Sequence, residues 1–105
     1  MTCAYIAFTA RGLALAQQLA AACPGSVARG GADGVRLTDW TAVQFAQSDA
    51  LIFVGAVGIA VRAIAPHCRS KAADPAVVVL DEGGQFAIPL LSGHLGGANE
   101  LAQRL

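Results

Sequence analysis

The chain has 105 residues, 55% of them hydrophobic and only 13% charged, with seven basic and seven acidic residues cancelling to a formal net charge of zero. That length makes one domain able to bury a core without disulfide staples, and the neutral balance excludes recognition of nucleic acid or an anionic membrane through bulk charge. So apolar a composition suits strands buried on both faces, and it also fits a surface partly covered by another domain or subunit.

A membrane span fails on length. The longest apolar run, Ala50 to Val61, has 12 residues including two glycines and stops at Arg62, against roughly 20 for a spanning helix. Leu19-Ala20-Ala21-Ala22-Cys23 loosely resembles a lipobox, but Arg11 sits mid-segment and Gln17 and Gln18 interrupt the apolar region, so no leader is expected. Cys3, Cys23 and Cys68 are odd in number, widely spaced and without a Cys-x-x-Cys pair. They point away from a disulfide framework or zinc site, toward packing roles in a reducing cytoplasm.

In chain order, Cys3 to Phe8 reads as a first, central strand. Thr9 is placed to cap a helix over Ala10 to Ala22, polar at Arg11, Gln17 and Gln18 and apolar at Leu13, Leu15 and Leu19. Pro24-Gly25 stops it. Val27 to Arg29 is a brief strand, the Gly30 to Gly34 stretch a turn, and Val35 to Leu37 a second short extended piece. Thr38 or Asp39 is expected to cap a helix from Trp40 to Gln47, with Val43, Phe45 and Ala46 inward and Thr41, Gln44 and Ser48 on the polar side. Ala50 to Val54 is a continuous apolar run, hence a fully buried strand. Gly55-Ala56-Val57-Gly58 turns into a helix from Ile59 to Ala65, broken by Pro66. After a polar connection with Arg69 and Lys71, Ala76 to Leu80 is another buried strand. The turn Asp81-Glu82-Gly83-Gly84 leads into a strand from Gln85 to Leu91, where Pro89 signals an edge or a bulge. A last helix carries Ala98, Leu101, Ala102 and Leu105 on one face and a Glu100–Arg104 pair on the other. Alternating strands and helices make an α/β fold: a three-layer α/β/α, Rossmann-like domain with a mostly parallel sheet and an edge hairpin.

In such sheets ligands gather outside the carboxyl ends of the strands. Two turns carry the candidate chemistry, and both are expected there. The Gly55–Gly58 turn lacks the dinucleotide fingerprint and the Walker A pattern; it reads either as tight strand-to-helix packing or as an anion site at a helix N-terminus helped by Arg62. The other turn packs Ser92, Gly93, His94, Gly96, Gly97 and Asn99 into eight residues. It reads either as a structural turn or as a site in which Ser92 and His94 form a nucleophile–base pair and Asn99 donates to an oxyanion. Arg62, Arg69 and Lys71 cluster in an otherwise charge-poor chain and suit a carboxylate-rich ligand. His67 reads as an exposed helix-end residue.

From Phe53 onward the residues carry a resemblance. Val54-Gly55-Ala56-Val57-Gly58-Ile59-Ala60-Val61-Arg62, Ile64-Ala65-Pro66, Lys71, Asp74-Pro75-Ala76-Val77-Val78-Val79, Asp81-Glu82-Gly83 and Leu90-Leu91-Ser92-Gly93-His94-Leu95-Gly96-Gly97-Ala98-Asn99-Glu100-Leu101-Ala102 follow one another in order. This set closely resembles the N-terminal domain of the cobalamin-biosynthesis protein G family, the cobalt-precorrin-5A hydrolases. The resemblance implies a role in vitamin B12 synthesis: opening the δ-lactone of a tetrapyrrole-derived macrocycle, with release of acetaldehyde, to give cobalt-precorrin-5B. The cobalt travels inside the substrate, so no cofactor and no protein metal site are implied.

For that chemistry His94 is the expected base, Asn99 with the glycine amides the oxyanion donors, and Ser92 a nucleophile or, more readily, a substrate contact. Gly55, Gly58, Arg62, Lys71, Gly93, Gly96 and Gly97 are the expected substrate-binding positions. The family's central segment and C-terminal domain have no counterpart in these residues. The implied partner is therefore a separately encoded C-terminal-domain protein or another corrin-pathway enzyme, and self-association also fits. Two readings follow: a hydrolase or its N-terminal part, and a non-catalytic domain that completes an active site with another chain. A generic anion-binding module built on the Gly55–Gly58 turn is the third.

Overall fold

A computed structural model describes residues 2–70 and 72–92, with nothing said of the Ser92 side chain. The elements are β1 (Cys3–Ala7), α1 (Ala10–Ala22), β2 (Gly25–Arg29), α2 (Leu37–Gln47), β3 (Ala50–Val54), α3 (Val57–Ile64), a 3₁₀ turn (Ala65–His67), β4 (Ala76–Leu80) and β5 (Ala87–Ser92). The final helix expected from the sequence, with its Glu100–Arg104 pair, lies outside the described residues.

Among the described residues the sheet has five strands, in the order β2-β1-β3-β4-β5. β1 pairs in parallel with β2 and β3, β3 in parallel with β4, and β4 antiparallel with β5. β1, β3 and β4 are buried at every position, as their unbroken apolar runs require of strands covered on both faces. Alternate residues feed two cores. Tyr5, Ala7, Ile52, Val54 and Val78 face α1, packing with Ala16, Leu13 and Leu19. Ile6, Leu51, Phe53, Val77 and Val79 face α2 and α3, packing with Trp40, Ala60 and Ile64. Helices therefore cover both sheet faces, and the three-layer α/β/α expectation holds. The fully buried Tyr5 hydroxyl donates to the Cys23 carbonyl at 2.5 Å, tying the end of α1 to β1.

The edge hairpin also holds. Val77 pairs with Leu91 while Val78 pairs with Pro89, so Leu90 is an extra residue in the ladder. Pro89, which has no N–H to give, thus sits beside a bulge on an edge strand, where its missing donor costs least.

Four local expectations are corrected. α2 begins at Leu37, not Trp40; its N-cap is Arg36 and no side chain caps it, so Thr38 and Asp39 lie inside the first turn. The extended piece at Val35 to Leu37 shrinks to a single bridge between Gly30 and Val35. The inward face of α2 is rotated: Trp40, Thr41 and Ser48 are buried, and Val43 is 47% exposed. Trp40 sets this rotation by packing edge-on to Phe53, ring centroids 5.5 Å apart; a large aromatic gains more from burial than a valine does. Ser48 settles its hydroxyl by donating to Gln44 Oε1 at 2.6 Å. α3 begins two residues earlier than expected and ends at Ile64, where Pro66 tightens the chain into the 3₁₀ turn.

Candidate functional site

The carboxyl ends of β1 and β3 part the chain in opposite directions, to α1 and β2 on one side and to α3 and β4 on the other. That is the switch point at which open α/β sheets bind ligands. Four connections meet there: Phe8–Thr9, Gly30–Arg36, Gly55–Ala56 and the Asp81–Phe86 turn. The half-buried Phe8 ring forms a floor between two glycines. A Cβ on Gly30 would fall 2.7 Å from it and one on Gly55 would fall 3.4 Å from it. Gly55 also has a φ of +155°, a region closed to most side chains. A cleft of about 300 Å³ opens beside Phe8, lined by Arg29 and Gly30 to Gly34.

Three helices start at this edge, and the first and third of them are treated differently. Thr9 closes α1: its hydroxyl accepts the Gly12 N–H at 3.0 Å and donates to Glu82 Oε1 at 2.8 Å, joining residues 73 apart in sequence. α3 starts at Ala56 with no side-chain cap. Its first amides retain the unpaired donors and partial positive charge of a helix N-terminus. Gly58, in that first turn, has nothing within 4 Å of where a Cβ would stand. Tight packing therefore does not account for Gly58, whereas close approach of a ligand to the main chain would.

The Asp81–Phe86 turn is held by its own carboxylate. Asp81 Oδ1 accepts the Phe86 N–H at 2.7 Å, and this bond keeps the carboxyl below its ordinary aspartate value. Glu82 follows, half-buried and turned to Thr9.

The opposite, amino edge has another character. Asp74 is buried and accepts the Arg69 N–H on both oxygens, at 3.0 and 2.9 Å. His67, half-buried rather than exposed, places its ring 5.7 Å from that of Phe45. These residues line a cleft of about 430 Å³ with Ala42, Ala46, Pro66 and Ala73. Cys68 donates to the Ile64 carbonyl at 3.4 Å, and burial first, then Asp74, pushes its thiol up. Cys68 is exposed, so the packing role expected of it is corrected, while the raised thiol suits an inert residue. Cys3 and Cys23 are buried. Among the described residues no group of three or more His, Cys, Asp or Glu side chains is placed to hold a metal ion.

The expectation that both glycine-rich turns leave the carboxyl edge is corrected for Ser92, the first residue of the second. Gly55 and Gly58 are there. Ser92, however, pairs with Ala76 at the amino end of β4, because the Asp81–Phe86 turn reverses the chain before β5. Five residues of strand, about 16 Å, separate the two levels. Arg62 is exposed in the last turn of α3, where a cation favours the helix C-terminus rather than an anion at its start. Arg69 belongs to the amino edge. Lys71, Gly93, His94, Gly96, Gly97 and Asn99 lie outside the described residues. Sequence reasoning used Thr9 only as a cap and Glu82 only as a turn residue, and it gave no role to Phe8. The signal available was the order of strand ends, which places the residues following β1, β3 and β4 side by side.

Comparison with known proteins places these turns in a family. Residues 39–105 match the Cobalamin synthesis G N-terminal family. A cobalt-precorrin-5A hydrolase from Salmonella typhimurium is 61% identical over 61 residues, 58% of this chain and 17% of that protein. One from Priestia megaterium is 51% identical over 55 residues, 52% of this chain and 15% of that protein. The crystal structure of a cobalamin biosynthesis protein G homolog from Sulfolobus solfataricus superposes with a TM-score of 0.75 at 28% identity, covering 98% of this chain and 32% of that one. The chain therefore spans a minor part of the length of each relative. With the family's match running through the α3 start, the Asp81–Phe86 turn and the Ser92 turn alike, the chain belongs to the Cobalamin synthesis G N-terminal family.

Proposed function

We propose that the chain serves cobalamin biosynthesis as the N-terminal domain of a cobalt-precorrin-5A hydrolase. In this reading it helps open the δ-lactone of the macrocycle, with release of acetaldehyde, to give cobalt-precorrin-5B. Similarity to two proteins of that activity over more than half the chain carries the reading. The carboxyl edge supports it: the uncapped start of α3, open at Gly58, is suited to receive carboxylates, and the substrate is rich in them. Gly55 and Gly58 bind there. Arg62, Lys71, Gly93, Gly96 and Gly97 meet other acetate and propionate arms.

Lactone hydrolysis needs a base for water and donors for the oxyanion. His94 takes the proton from water, Asn99 and neighbouring glycine amides receive the developing charge, and Ser92 contacts the substrate. The cobalt is part of the substrate, and the domain itself uses no cofactor. The reaction belongs to the cytoplasm, and among the described residues no helix is long and apolar enough to cross a membrane.

The short span of the match within its relatives favours a second reading, in which the domain binds and completes an active site supplied by a C-terminal-domain partner. Incubating the purified chain with cobalt-precorrin-5A and measuring acetaldehyde separates the two. Release by the chain alone rejects the second reading. Release only with the partner rejects autonomous catalysis, and none under either condition rejects the proposed reaction.

A further inference from the structure

α3 is apolar almost all the way round. Its sequence VGIAVRAI carries one charge, Arg62. Ala60 and Ile64 suffice to seat it on the sheet, yet Val57, Ile59 and Val61 remain 37%, 39% and 45% exposed. A helix on the surface of a finished protein keeps its outer face polar; this one presents branched aliphatics and the bare backbone of Gly58. The same sheet face continues outward to β5. Ile88 pairs with Val79, whose side chain belongs to the core under α2 and α3, so Ile88 points to that side, and it is 43% exposed. The apolar surface thus runs from α3 toward the sheet edge.

We propose that this face docks the polypeptide that follows the N-terminal domain in the chain's relatives. Two observations select that occupant. The matching segment is only 17% and 15% of the two curated relatives, so most of such a protein must find a place against or beyond this domain. The face is also helical and convex, and neither the 300 Å³ nor the 430 Å³ cleft includes an α3 residue. A small ligand seeks a concavity that encloses most of its surface; a protein partner covers a convex apolar patch. The covering surface should be apolar at its centre, with an acidic group opposite Arg62. The proposal refines the domain reading above and does not depend on turnover.

The test compares hydrogen exchange at the hydrogen-bonded amides of α3, Val61 to Ile64, in the isolated chain with exchange of the matching segment in the full-length Salmonella typhimurium relative. Slowing of tenfold or more in the full-length protein, with Val61→Lys leaving the melting temperature of the isolated chain unchanged, is the expected result. Equal exchange in the two proteins overturns the proposal. Concentration-dependent protection of α3 in the isolated chain also overturns it, since the face would then belong to a second copy. Exchange needs no substrate, so a chain that releases no acetaldehyde contradicts the proposed reaction and leaves this test standing.

Discussion

The two edges of the sheet use their polar groups in different ways. At the amino edge the chain satisfies itself: Asp49 accepts the Thr2 N–H at 2.8 Å, Asp74 accepts that of Arg69, and Ser70 accepts that of Ala73 at 3.1 Å. At the carboxyl edge Asp81 closes its own turn and Thr9 ties α1 to Glu82, but α2 and α3 start without a side-chain cap. Loops that close their own hydrogen bonds hold a fold together; helix starts that leave donors open hold ligands. Substitutions at the amino edge should therefore cost stability, and those at the carboxyl edge should cost function.

The largest effect is expected from neither edge alone. His94→Ala should lower acetaldehyde release by about 100-fold or more, the ordinary worth of a general base, with the far-ultraviolet circular dichroism unchanged. Full activity in that variant would reject His94 as the base. Next comes the amino edge. Asp74→Ala removes a buried acceptor of the Arg69 amide and should lower unfolding free energy by about 1–3 kcal/mol in urea titrations, with substrate affinity unchanged.

Gly58→Ala sharpens the contrast because its two effects have opposite signs. Open space at Gly58 accepts a methyl, and helix propensity should raise stability by about 0.5–1 kcal/mol, while affinity for the macrocycle falls. A variant both more stable and equally tight in binding would mean that the α3 start does not meet the substrate.

Much of this division could be read from sequence, and some of it could not. Unbroken runs such as Ala50–Val54 declared buried parallel strands, and Thr9 declared a helix start, because burial on both faces and capping are local demands. The rotation of α2 was hidden because Val43 and Thr41 are settled by where Trp40 finds Phe53, a contact made across the fold. Grouping the Ser92 turn with the Gly55–Gly58 turn failed for a similar reason. Both follow an apolar strand and both are rich in glycine, and only the reversal at Asp81–Phe86 puts Ser92 at the opposite edge. Arg62, Arg69 and Lys71 looked like one cluster by spacing, yet α3 ends and the chain turns between the first two. The Thr9–Glu82 bond spans 73 residues and no local pattern announces it.

The smallest effect concerns pH. The folded-state pKa of Asp81 is lowered by its bond to the Phe86 N–H, so the stability it contributes is present above the unfolded aspartate value of about 3.9 and is lost as pH falls through the lower folded value. Thermal melts of the parent and of Asp81→Asn should converge below about pH 4 and differ slightly above it. A constant difference down to the most acid pH would place the effect elsewhere.

The most direct test of the carboxyl-edge site is a map of backbone amide resonances during titration of the chain with cobalt-precorrin-5A. The account predicts that perturbed amides among the described residues gather at Gly55, Val57 and Gly58 and extend to Thr9 and Glu82. Changes confined to the Arg69–Asp74 loop and His67, with the start of α3 unmoved, would contradict it.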